Sequence, residues 1–256
     1  IPTLRTSTRE PLRWYSRIRS ASSNKGIPQG AVATQSLFEK IAAFIRGNYF
    51  IPDARKGWRP YALKAARQWI LEEGIERVIT TGPPHSSHWV GAQLKKEFGL
   101  QWVVDFRDPW VTLFYNAQLY RTARAKNKDR EQEKNILHNA DEVITTVGGD
   151  FQEYLKSLVH DQNYHVIPNG FDDELMNSIT NTQHPKFHIV YTGLLTTNQE
   201  YQGVLDALYS LQNEHTICLS LAGQIQEEIL EEFRVKLDQV EIIAPGYLSH
   251  KKAIEL

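Results

Sequence analysis

The chain has 256 residues, 41% of them hydrophobic and 23% charged, with a net charge of −1. These proportions are those of a globular protein large enough for one big domain or two modest ones. No apolar run approaches the ~20 residues of a membrane-spanning helix, and a single cysteine, Cys218, excludes a disulfide framework and a cysteine zinc site, so a reducing compartment fits.

Charge is unevenly spread. Residues 1–70 hold 13 Lys and Arg, among them Arg13, Arg17 and Arg19, against three acids; this net of +10 is answered by −11 in the remainder. Trp14, Tyr15, Phe44, Tyr49, Phe50 and Trp58 are interleaved with the cations. The pattern suits an anionic membrane surface, where each basic residue contributes ~1 kcal/mol. It also suits nucleic acid, or a plain solvated face. No nucleic-acid-binding module accompanies it, which makes nucleic acid the weaker partner.

From Glu72 onward the pattern is strand, turn, helix, repeated. Arg77–Thr81 is a short β-branched run before the turn Gly82-Pro83-Pro84, and a helix is expected from Ser86 to Phe98, stopped by Gly99. Trp102–Phe106 reads as a buried parallel strand. Residues 112–140 read as one long polar helix, followed by a strand at Glu142–Val147, Gly148-Gly149, a helix at Phe151–Val159 and a strand at Tyr164–Ile167. The polar stretch Asp172–Lys186 is the best linker. After it come strand Phe187–Tyr191, a turn at Gly193 and a helix over 200–213. Strand Thr216–Ala222, a turn at Gly223, a helix over 224–238 and strand Val240–Ile243 follow, then Pro245-Gly246 and a last helix capped by Ser249. The class is α/β with two parallel sheets: an N-terminal domain over 1–172, a linker over 173–186 and a C-terminal domain over 187–256.

Ligands of open parallel sheets bind beyond the carboxyl ends of the strands. Five such ends carry small-residue turns here: Gly82-Pro83-Pro84, Gly148-Gly149, Asn169-Gly170, Gly193 and Gly223. All but Asn169-Gly170 lead into a helix whose free N–H groups can hold a phosphate. None matches a dinucleotide fingerprint or a P-loop. In G-P-P-H-S-S-H, His85 is either an exposed histidine at a capped helix start or part of a site. In W-V-V-D-F-R-D-P-W a buried strand runs straight into Asp105, Arg107 and Asp108. Such charges must pair or face a solvated cleft, so they form either a structural Arg–Asp bridge under Trp110 or a site.

Taken in order, F-I-P-D-A-R-K-G-W, T-T-G-P-P-H-S-S-H-W-V-G, W-V-V-D-F-R-D-P-W, A-D-E-V-I-T-T-V, V-I-P-N-G-F-D-D and I-V-Y-T-G resemble the bacterial glycosyltransferase family 4 enzymes of surface-polysaccharide biosynthesis, over residues 42–256. The resemblance implies a GT-B fold of two Rossmann-like domains, the second incomplete, with the acceptor on the first and the sugar nucleotide on the second. It implies retaining transfer with no cofactor and no metal ion. Its partners would be a nucleotide-sugar donor and a lipid-linked or glycan acceptor, at the inner face of the membrane. Helix N-termini, backbone N–H groups and cations then stabilise the departing diphosphate, and carboxylates suit an oxocarbenium-like sugar.

Asp105, Arg107, Asp108 and His85 are the expected catalytic set, with Gly193, Gly223, Gly246, Asn169 and Gly170 at the nucleotide. Leu194 and Gln202 stand where the family commonly has arginine and lysine. The family's paired glutamates would fall beyond Leu256 and its first strand before Ile1, so the expectation is a chain truncated at both ends. Two other readings remain: a sugar-nucleotide epimerase of the same fold and a non-catalytic membrane-docking protein.

Overall fold

The computed structural model describes residues 2–9, 37–113, 116, 119–179 and 184–256. Arg13, Trp14, Tyr15, Arg17 and Arg19 lie outside that set. The chain divides into two compact units, the boundary falling between Asn169 and Gly170.

The first unit opens with α1 (Leu37–Tyr49), a single 3-10 turn and α2 (Arg59–Glu73). Then β1 (Arg77–Gly82), α3 (Ser86–Phe98), β2 (Gln101–Phe106), α4 (Ala123–Asn139), β3 (Glu142–Thr145), α5 (Asp150–Leu158) and β4 (Tyr164–Val166) alternate. The strands form one parallel sheet in the order β1-β2-β3-β4, with Thr81 opposite Asp105 and Phe106 opposite Thr145. In β2, alternate residues Trp102, Val104 and Phe106 are fully buried, the period of a strand with one face in the core. Trp110, Ile136, Leu137, Val143 and Leu155 complete that core, and burial of each large side chain contributes about 1.5–3 kcal/mol. A second cluster, with Ala62, Leu63, Ile70, Val90 and Leu94, seats α2 and α3.

Helix ends follow local chemistry. Gly74 and Gly99 close α2 and α3 at φ 61° and 67°, left-handed values that suit glycine. Within α3, Gly91 lies against β2 so closely that a Cβ there would be 2.1 Å from Trp102 Nε1. The long helix expected over 112–140 begins only at Ala123. Tyr120 has φ 47°, and Thr122, in an extended conformation, accepts from the Ala125 amide, a capping bond that starts a new helix.

The second unit contains α6 (Asp173–Asn177), β5 (Phe187–Leu195), α7 (Gln202–Leu211), β6 (Ile217–Ile225), α8 (Glu227–Lys236), β7 (Glu241–Gly246) and α9 (His250–Ile254). The expected linker thus holds a short helix, started by Asp172 accepting from Leu175 N. The strands form a parallel sheet in the order β5-β6-β7. Leu205, Leu208, Ile217, Leu219, Leu221, Ile229 and Phe233 pack α7 and α8 onto it. Ser249 caps α9 through Lys252 N.

β5 and β6 run farther than the sequence predicts, so Gly193 and Gly223 are not in turns that lead directly into helices. They face each other within the paired strands, with φ 147° and 120°. A Cβ on Gly223 would stand 2.0 Å from the Gly193 carbonyl oxygen. Two glycines let the strands continue past a point where side chains would separate them.

Candidate active site

In the first unit the predicted residues gather where the strands end. Arg107 follows β2, and its backbone is stitched to both neighbouring strand ends: its amide donates to Gly82 O at 3.0 Å, and its carbonyl accepts from Thr146 Oγ1 at 3.0 Å. The guanidinium is exposed and donates to Asn169 Oδ1. The structural Arg–Asp bridge is therefore not what holds Arg107. Asp108 is exposed and Asp105 half-buried within β2. The edge thus brings the Arg107 cation and the Asn169 amide together, with Asp105 and Asp108 adjacent in sequence.

His85 is buried, which overturns the reading of an exposed histidine at a helix start. Its ring stacks on Trp110, with centroids 4.9 Å apart and planes at 6°, and lies 5.7 Å from the ring of His88. Neither His85 nitrogen has a hydrogen bond of good geometry. Burial pushes its pKa down to about 4, the nearby Pro109 carbonyl opposing this only in part. His88 is lowered further, by burial and by His85. Its Nδ1 meets Thr80 Oγ1 at 3.0 Å, while that oxygen accepts from Trp102 Nε1 at 2.8 Å. A Cβ on Gly82 would lie 2.5 Å from His88 Nε2 and 2.8 Å from His85 Nδ1. Glycine at 82 makes the room in which two neutral imidazoles converge.

The N-terminus of α3 is not the anion cradle the turn suggests. Ser86 donates its amide to Asp53 Oδ2 at 2.8 Å and its hydroxyl to Asp53 Oδ1 at 2.9 Å. A carboxylate already answers the helix dipole there and repels a second anion. Asp53 and His85 line one open pocket with Arg46, Pro83, Pro84, Trp110, Asn116 and Arg121. Arg121 is buried and donates to Asp129 Oδ2 at 2.5 Å, which holds the pocket wall against α4; Trp110 Nε1 donates to the other oxygen at 2.7 Å. Beneath it, burial pushes Glu133 up to about 7, although Tyr154 donates its hydroxyl to it at 2.7 Å.

Sequence reasoning missed Arg46, Asp53, Asn116 and Arg121. The motif F-I-P-D-A-R-K-G-W contains Asp53, yet nothing local says that its carboxylate reaches Ser86. In the second unit Gly193, Gly223 and Gly246 lie near the carboxyl ends of three adjacent strands, Gly246 opposite Ala222. Asn169 instead joins Arg107 in the first unit, and Gly170 opens the second.

Residues 39–170 match the family model of the glycosyl transferase 4-like domain. The chain belongs to this glycosyltransferase family. Its α/β class and its two parallel sheets, one in each unit and the second of three strands, are those expected of it. Among solved structures it is similar to the lipopolysaccharide outer core galactosyltransferase WaaB in its apo form, at 15% identity and TM-score 0.49, covering 75% of this chain and 49% of that one. It is also similar to TarM, at 10% and 0.49, covering 79% and 38%. A third is HepE of Anabaena in complex with UDP and glucose, at 14% and 0.47, covering 76% and 53%. The chain spans about half the length of these structures or less. No curated protein matches it.

Proposed function

We propose that this glycosyltransferase moves a sugar from a nucleotide-sugar donor to a lipid-linked or polysaccharide acceptor, with retention and without a metal ion in the transfer step. The family match over residues 39–170 carries the reading. In it, the pocket around His85, Asp53 and Arg46 receives the acceptor. His85, neutral because its pKa lies near 4, offers hydrogen bonds to an acceptor hydroxyl rather than charge. Arg107 stabilises the charge of the departing diphosphate, as a preorganised cation does at a developing anion. Asp105 and Asp108 supply carboxylates that favour an oxocarbenium-like sugar. The glycines at 193, 223 and 246 let the nucleotide approach the backbone of the second sheet.

The test is release of nucleoside diphosphate from a panel of sugar nucleotides, with lipid-linked and glycan acceptors supplied, and NMR of the product anomer. No release with any pair sinks the transferase reading. Donor turnover without acceptor replaces it by an epimerase, and an inverted anomer removes retention alone.

An anionic membrane is the partner we assign to the first unit. On α1, Ile41, Phe44, Ile45 and Tyr49 are exposed, at the spacing of one helix face, and Lys40 and Arg46 lie on the same helix. Apolar side chains beside cations suit a headgroup boundary. Among the described residues no helix is long and apolar enough to cross a membrane.

A further inference from the structure

We propose that His184, His188 and Cys218 form a site for a zinc-class divalent ion in the second unit. His188, Cys218 and Glu241 stand at one register across β5, β6 and β7. Cys218 alternates with Ile217 and Leu219, which enter the helix-packed core, so this row lies on the opposite face of the sheet. His184 precedes β5, and its ring stands 4.3 Å from that of His188. One ligand atom from each of His184, His188 and Cys218 lies within 4.8 Å of the other two. Ligands of a tetrahedral zinc stand roughly 3.5 Å apart, so small side-chain rotations bring the three onto one ion.

The donor set selects the ion. A thiolate with two imidazoles favours zinc and its neighbours over magnesium or calcium, which take oxygen. The imidazoles are already oriented from outside: His188 Nε2 can donate to Ser220 Oγ at 2.7 Å, and His184 Nδ1 can donate to the Lys186 carbonyl oxygen at 3.3 Å. Such outer bonds fix the rings of ligand histidines and leave the other nitrogen of each for the ion. Glu241, held by Lys186 Nζ at 2.7 Å, supplies a nearby negative charge. The expectation that one cysteine excludes a cysteine zinc site holds for sites of several thiolates but not for this mixed set. The cluster sits at the amino ends of the strands, whereas Gly193, Gly223 and Gly246 lie toward their carboxyl ends. An ion here ties the segment ahead of β5 to the sheet and takes no part in transfer.

Cys218 is the only cysteine, which makes the test specific. Reduced, tag-free protein is titrated with Co²⁺ and then with Zn²⁺. The expected result is one Co²⁺ per chain with a sulfur-to-cobalt charge-transfer band, displaced by Zn²⁺. Cys218→Ser removes the band, while His184→Ala and His188→Ala each weaken binding by more than ~100-fold, beyond the roughly 10–100-fold that loss of an outer partner costs. His184 is exposed, so its variant tests the site without disturbing the core, and circular dichroism confirms that each variant is folded. Absence of the band in protein whose thiol is shown to be reduced overturns the site. So does a band whose affinity is unchanged by His184→Ala.

Discussion

Arg107 is anchored through its backbone, while its exposed guanidinium reaches Asn169 Oδ1, and that division decides what its loss does. Its amide and carbonyl bonds to Gly82 and Thr146 survive any side-chain change, so Arg107→Ala should leave the fold intact. Loss of one preorganised charge-stabilising group typically lowers turnover about 10²–10³-fold, and that is the drop expected in nucleoside diphosphate release at unchanged thermal stability. Lysine should restore part of it. Glu133 makes the opposite kind of prediction. With a folded pKa of about 7 against an ordinary 4.5, its carboxyl takes up a proton on folding. Stability from this group is therefore greatest below pH 4.5 and declines as pH rises through 7. Glu133→Gln removes the decline, so the variant should match the parent near pH 4.5 and exceed it by up to about 3 kcal/mol at pH 8, taking ~1.4 kcal/mol per unit. Urea unfolding at the two pH values measures it. An equal difference at both would show that Glu133 does not titrate in this window. Buried His85 and His88 act in the other direction at acid pH, which is why the comparison is made between variants and not along one pH profile. None of this was legible in the sequence, where Glu133 is one more acid on a polar helix. Its burial depends on Tyr154 and Val111, which arrive from other elements.

Whole strands and helices were far more legible than their partners. Arg77–Thr81, Ser86–Phe98 and Ser249 emerged from β-branched runs, glycine stops and capping residues because those signals act within a few residues. Two kinds of boundary did not. Thr122 starts α4 although its neighbours are as helix-compatible as those that follow. Gly193 and Gly223 looked like turns because glycine usually ends a strand. Here each lets the other's strand pass, a reason visible only once the two are paired. Gly223→Ala should accordingly destabilise the second unit by about 1–3 kcal/mol or more, the cost of a non-glycine residue in such a conformation, added to a clash with a carbonyl that cannot step aside. Alanine at Gly203, where an added Cβ meets nothing within 4 Å, is the control and should be neutral or mildly stabilising in the same urea melt.

At the scale of the molecule, the charge split and the exposed face of α1 point to a surface rather than a cavity. The protein should float with anionic vesicles and not with neutral ones, and salt should release it, since each basic residue near the surface contributes ~1 kcal/mol that screening removes. Replacing Phe44 and Ile45 with Asp should weaken flotation without altering activity on a water-soluble acceptor. Flotation indifferent to lipid charge would remove the electrostatic account. The asymmetry was plain from composition, whereas the apolar face of α1 needed the helix to be built before its side chains could be seen to share a side. Another consequence reaches from the seat of α3 to the chemistry. Gly91 leaves no slack between that helix and Trp102, and the imidazole at the head of the helix inherits the fit. A single methyl at 91 would work like a spacer under a hinge plate, lifting α3 and sliding His85 out of register with Trp110. Gly91→Ala should therefore lower any activity that depends on His85, although position 91 lies against Trp102 and not in the pocket.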